Sequence, residues 1–194
     1  MKLIICLLLA ASLCLAANTA FCEPNTLFSF EKDTEGWEVP NWCLEKTDYV
    51  AESIAVSNKF AKDGKSALEI MANFPGGKWT ATYVEVQQFF DWAPYKTVSV
   101  DVYLPKEAPM GLQAKIILTV GDDWTWTEMS RMVKLMPGEW VTVSAGLVPG
   151  VTDWRRTTVT DQFRSDIRKF GVRIESNMRP TYSGPIYIDN IKLE

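Results

Sequence analysis

Histidine is absent from all 194 residues. That removes Ser-His-Asp and Cys-His catalysis and every zinc site built on imidazole. Cysteine is scarce: Cys6, Cys14, Cys22 and Cys43 are all there is, too few for a disulfide framework. No glycine-rich phosphate loop occurs, since "FPGGKW" has neither the spacing nor a following helix. Basic residues are scattered and the net charge is −4, which argues against nucleic acid and anionic membranes as partners. Any chemistry would rest on carboxylates, tyrosines or lysines. A long apolar run occurs once, in "MKLIICLLLAASLCLAANTAFC", where one lysine precedes an uncharged stretch from Leu3 to Ala17 and then small residues. This is the pattern of a secretory signal peptide, and the run is short of the ~20 residues a membrane span needs. Residues 1–22 are therefore expected to be removed, leaving 23–194 secreted or periplasmic with no membrane association. Cys6 and Cys14 leave with the signal. Cleavage after Ala17 or Ala20 keeps Cys22 to pair with Cys43, and cleavage after Cys22 removes it.

The mature chain has the size of one domain with a proper core. It is a succession of period-two segments separated by turn signals, which predicts an all-β, two-sheet antiparallel sandwich of about eight to ten strands. "TVSVDVYLP" puts Val98, Val100, Val102 and Leu104 on one face and Ser99, Asp101 and Tyr103 on the other. "LQAKIILTV" does the same with Leu112, Ala114, Ile116, Leu118 and Val120, and "KFGVRIES" buries Phe170, Val172 and Ile174. "TATYVEVQQF" leaves Tyr83 and Glu85 on a non-core face. A helical turn is expected only in "TDQFRSDIRKF", capped by Thr160 or Asp161.

Eight tryptophans must be divided between core and surface. Trp37, Trp92 and Trp140 adjoin strands and are expected in the core. Trp42, Trp79, Trp124, Trp126 and Trp154 lie in polar, turn-rich stretches: "VPNWC", "PGGKWT", "DDWTW" and "VTDWRR". One of them could plug an end of the sandwich, but five together are hard to bury. Sugar recognition supplies a reason for them, because the C–H face of a pyranose stacks on an aromatic ring while nearby polar groups bond its hydroxyls. Trp124 and Trp126, separated by one threonine, are expected to share one strand face, with both indoles pointing the same way.

The ordered series "FSFEKDTEGWEV", "GKSALEI", "YKTVSVDVYLP", "PGEWVTV" and "GPIYIDNIKL" resembles the β-jelly-roll carbohydrate-binding modules of the galactose-binding-like fold, such as those appended to bacterial glucanases and mannanases. The resemblance spans nearly all of the mature chain, and its motifs are mostly structural, so fold transfers more safely than ligand. It implies a structural Ca²⁺ held by Glu31 of "FSFE" and Asp189 of "YIDN", with backbone carbonyls near Lys65 completing the shell. It also implies a ligand face of aromatics from strands and rim loops, where Trp79, Trp124, Trp126 and Trp154 fall in comparable regions beside Arg173 and Glu175 of "GVRIE". Such modules usually ride on a catalytic domain, whereas residues 23–194 are expected to form a single domain.

The leading expectation is a monomeric, non-catalytic protein that binds a β-linked polysaccharide through Trp42, Trp79, Trp124, Trp126, Trp154, Arg173 and Glu175. One alternative is a small glycosidase or lyase on the same sandwich, with Asp122, Asp123, Glu128 or Glu175 supplying the two carboxylates that flank a glycosidic bond. Another is an envelope protein whose surface aromatics bind protein.

Overall fold

A computed structural model describes residues 25–178 and 180–194. The signal segment 1–22, including Cys22, lies outside the described residues. Among the described residues, eleven strands and two short helical turns follow one another. They are β1 (Asn25–Phe28), α1 (Asn41–Leu44), β2 (Ala51–Ser57), β3 (Ala67–Pro75), β4 (Ala81–Phe90), β5 (Thr97–Tyr103) and β6 (Gln113–Val120). Then come β7 (Thr125–Glu128), β8 (Val133–Lys134), β9 (Trp140–Gly146), α2 (Asp161–Ser165), β10 (Ile167–Glu175) and β11 (Thr181–Leu193). All named strand pairs are antiparallel, forming a six-stranded sheet in the order β2-β3-β11-β5-β9 with β1 on β11, and a five-stranded sheet in the order β4-β10-β6-β7 with β8 on β6. The chain is the all-β sandwich that its alternation predicts.

The core lies between the sheets and is built by period two. Val98, Val100 and Val102 of β5 and Ile186, Ile188 and Ile191 of β11 face Ala114, Ile116 and Leu118 of β6 and Phe170, Val172 and Ile174 of β10 across one continuous cluster. In β11 the alternation breaks at Asn190, where the backbone enters the left-handed region and the register against β5 shifts. Trp37 is boxed by Phe28, Phe30 and Phe170 at ring-centroid distances of 5.6, 5.9 and 5.3 Å, and Trp92 by Phe90 and Phe170, both at 5.4 Å. Both are core residues as expected. Neither indole N–H has a hydrogen-bond partner among the described residues.

Two tryptophans depart from their expected places. On β9 the inward positions are Val141, Val143 and Ala145, so Trp140 falls on the outward side, half-buried against Tyr103 of the six-stranded sheet at 5.3 Å. Trp154 is only 3% exposed; its indole N–H donates to the Gly146 carbonyl at 2.8 Å and its ring packs on Phe163. It is an edge of the core, not part of a ligand face. A backbone carbonyl left free where β9 ends takes its N–H, which is why a polar stretch can hold a buried indole. The expected helical turn is α2, with the Thr160 hydroxyl accepting from the Phe163 N–H at 3.1 Å.

Candidate functional site

The outer face of the five-stranded sheet is set by the residues that alternate with the core. β4 contributes Tyr83 and Glu85, β10 contributes Lys169, Gly171, Arg173 and Glu175, β6 contributes Lys115, Ile117 and Thr119, and β7 contributes Trp126 and Glu128. The segment 38–50 folds over one end of this face. Glu38 and Glu85 exchange backbone hydrogen bonds of 2.9 and 3.0 Å, and Ala81 and Val50 bond Asp48 and Ala81 in turn. The edge of β4 thereby pins α1, which sets Trp42 over the sheet and drops Cys43 beneath it beside Tyr83 and Ile117. Burial, and next the charge of Glu85, push the Cys43 thiol up to about 12, so the group is neutral packing.

Together these parts enclose an open cavity of about 530 Å³. Trp42, Tyr49, Trp124 and Trp126 form its aromatic lining, and Lys46, Glu85, Thr119, Lys169 and Arg173 its polar lining. The rings make a continuous row: Trp79 meets Tyr49 at 6.1 Å, Tyr49 meets Trp42 at 4.9 Å, and Trp42 meets Trp126 at 6.0 Å. Trp124 is 43% exposed and Trp126 40%. They do not share a strand, because Trp124 closes the β6–β7 turn with φ 55°, its N–H bonded to the Gly121 carbonyl at 3.1 Å. They nonetheless look into one cavity. Left-handed backbone costs a non-glycine residue about 1–2 kcal/mol, so this turn spends stability to hold an exposed indole at the rim.

Beneath the rings lies an ionic lattice. Arg173 Nη2 is 2.6 Å from both Glu128 Oε2 and Glu175 Oε1, and Glu128 also receives Arg155 at 3.0 Å and Lys115 at 3.4 Å. Burial opposes ionisation of Glu128, but Arg173, Lys115 and Arg155 outweigh it and hold the carboxyl below its ordinary range. Glu175 accepts the Trp79 indole N–H at 3.0 Å, so Trp79 and Glu175 stand beside the cavity, tied to it through Arg173. On the other flank Glu85 takes Lys169 at 2.7 Å and the Tyr83 hydroxyl at 2.8 Å. Tyr83 lies flat across β10, and only a glycine at 171 leaves room for it; a Cβ there would be 2.6 Å from Tyr83 Cζ. Arg173 Nε, buried at the edge of the cavity, has no partner among the described residues.

Of the residues singled out from sequence, Trp42, Trp124, Trp126 and Arg173 line the cavity, Trp79 and Glu175 adjoin it, and Trp154 is elsewhere. Sequence reasoning missed Lys169, Thr119, Lys46 and Tyr49 as site residues. Lys169 and Thr119 share strand parity with Arg173 and Lys115 and were within reach of the alternation argument, whereas Lys46 and Tyr49 sit in irregular chain that carries no period.

Glu31 and Asp189 both close on the loop 62–66 behind the six-stranded sheet. Glu31 Oε1 accepts the N–H groups of Lys65 and Ser66 at 2.9 and 3.1 Å, and Asp189 Oδ2 those of Lys62 and Asp63 at 2.7 and 3.1 Å. Burial, with Glu31 adding to it, raises the Asp189 carboxyl despite these hydrogen bonds. Two hard carboxylates, one fully buried, suit a hard cation in kind. Among the described residues no third acid joins them, so backbone oxygens would have to supply the rest of a shell.

Residues 28–190 match the family described as "Mannanase, galactose-binding domain-like". The chain belongs to that family. Among solved structures this galactose-binding-like domain is similar to Caldicellulosiruptor saccharolyticus CBM27-1 in complex with mannohexaose, at 18% identity and a TM-score of 0.62 over 90% of this chain and 98% of that one. It is also similar to CBM28, a module described as specific for non-crystalline cellulose (14% identity, TM-score 0.61, 86% and 92% covered). A third is TmCBM27, described for specific mannan recognition (16% identity, TM-score 0.51, 89% and 95% covered). At these identities the likeness concerns the fold. No curated protein matches the chain.

Proposed function

We propose that this galactose-binding-like domain is a non-catalytic polysaccharide-binding protein that seats a β-linked chain on the outer face of its five-stranded sheet. The observation that carries the reading is the open cavity walled by Trp42, Trp124 and Trp126, with Lys169, Glu85 and Arg173 on its floor. Indoles offer flat faces to sugar C–H bonds, and the floor offers fixed donors and acceptors to hydroxyls. Mannan is the first candidate, on the name of the family and the mannose ligands named for two similar structures. Glu128 does not fit the role of a glycosidase general acid, which needs a raised pKa, because three cations hold this carboxyl below its ordinary range. Asp122 and Asp123 belong to the β6–β7 turn and do not line the cavity.

Affinity gels and calorimetry with mannan, xylan and amorphous cellulose test the reading. The wild type should bind one of them, Trp126→Ala should stay folded and bind it about threefold to tenfold more weakly, and no reducing sugar should be released. Retention by none of the polysaccharides refutes it.

We further propose that Glu31 and Asp189 hold a structural Ca²⁺, and that residues 1–22 direct export. N-terminal sequencing of the mature protein tests the second.

A further inference from the structure

The aromatic surface continues past the cavity. We infer that Phe89, Arg168 and Trp124 form a distal sugar subsite that lengthens the groove and gives this chain a preference for longer oligosaccharides. The inference rests on the polysaccharide-binding reading above and adds a subsite to it.

Phe89 is 71% exposed, the highest among the large hydrophobic residues described. It follows Tyr83, Glu85 and Gln87 in the alternation of β4, on the side of the sheet that carries the cavity. An isolated exposed phenyl needs no explanation, but this one is not isolated. The Arg168 guanidinium stands 5.4 Å from its ring and 5.4 Å from the Trp124 ring, bridging the two. Trp124 lines the cavity as well, so the surface is continuous from one to the other.

Arg168 is placed there by two devices. The register of β10 shifts between Ile167 and Lys169 against both β4 and β6, and this bulge turns Arg168 and Lys169 to the outside in succession. Asp166 then clamps the guanidinium, Nε to Oδ1 at 2.9 Å and Nη2 to Oδ2 at 3.0 Å. The clamp uses Nε and Nη2 and leaves Nη1 to donate to a hydroxyl. Such a group is ordered before ligand arrives, so binding spends little on arranging it. From Tyr83 to Phe89 the strand advances roughly 20 Å, a length that several consecutive sugars span and one or two do not.

The test is calorimetry of the mature protein with mannose oligosaccharides from the trisaccharide to the hexasaccharide, with xylose and cellobiose-type series alongside. Wild-type affinity should climb with length. Phe89→Ala should bind the trisaccharide as wild type does and lose about threefold to tenfold on the hexasaccharide, while melting at the same temperature. Phe89→Trp should keep the length dependence. The subsite is overturned if wild-type affinity stops rising at the trisaccharide, or if Phe89→Ala changes every length equally or none. If no series binds the wild type, the polysaccharide reading itself falls and the subsite with it.

Discussion

Gly171 sits at the centre of the outer face of the five-stranded sheet with ordinary backbone geometry for a strand, so a change to alanine meets no φ penalty. In an open strand Gly→Ala would stabilise by roughly 0.5–1 kcal/mol, because glycine loses more freedom on folding. Here the added Cβ would be 2.6 Å from Tyr83 Cζ and nearer still to the hydroxyl. Tyr83 cannot simply swing away: it is 1% exposed, its hydroxyl is bound to Glu85, and Trp42 and Trp126 flank its ring at 5.5 and 5.4 Å. Overpacking of this kind costs about 1–3 kcal/mol, which for a domain of this size lowers the melting temperature by about 2–12 °C. Displacing Tyr83 also pushes on two rings of the cavity, so oligosaccharide affinity should fall. A double-mutant cycle isolates the cause. In a Tyr83→Ala background the space is open, and Gly171→Ala should then be neutral or stabilising, a coupling of about 1–3 kcal/mol by thermal or urea melts. Additive effects of the two substitutions would refute the steric reasoning.

Trp154→Ala should destabilise by about 3–5 kcal/mol in denaturant melts, as large buried aromatics do, and leave sugar affinity of the folded protein unchanged. The depressed Glu128 carboxyl contributes stability that is present above its ordinary pKa and lost as pH falls through the lower folded value. The melting-temperature gap between wild type and Glu128→Gln should accordingly be widest at neutral pH and narrow below about pH 4.5. If Glu31 and Asp189 hold Ca²⁺, a chelator should lower the melting temperature and added calcium restore it, with Asp189→Ala indifferent to both. A wild-type curve that ignores chelator and calcium removes the metal from the account.

The sandwich was legible in the sequence because alternation is a local signal. The valines of β5 and Ala114, Ile116, Leu118 and Val120 of β6 declare their inward face without reference to any partner strand. Trp140 misled because its place at the start of a strand says nothing of parity, and the inward positions Val141, Val143 and Ala145 of β9 turn it outward. Trp154 misled because a polar neighbourhood in sequence need not be one in space: the Gly146 carbonyl that takes its N–H comes from another element.

By itself the sequence determined the fold class, the inward faces of the strands and the surplus of tryptophans beyond what one core absorbs. Those are properties of composition and of period two, written residue by residue. Only the tertiary structure decided which tryptophans meet. Trp42, Trp79 and the pair Trp124 and Trp126 come from three separate segments, and what joins them is the docking of 38–50 on the β4 edge and the order β4-β10-β6-β7. The same holds for Glu128, whose three cations lie on β6, on β10 and in the loop before α2. Strand order is set by long-range pairing, and no local pattern encodes it.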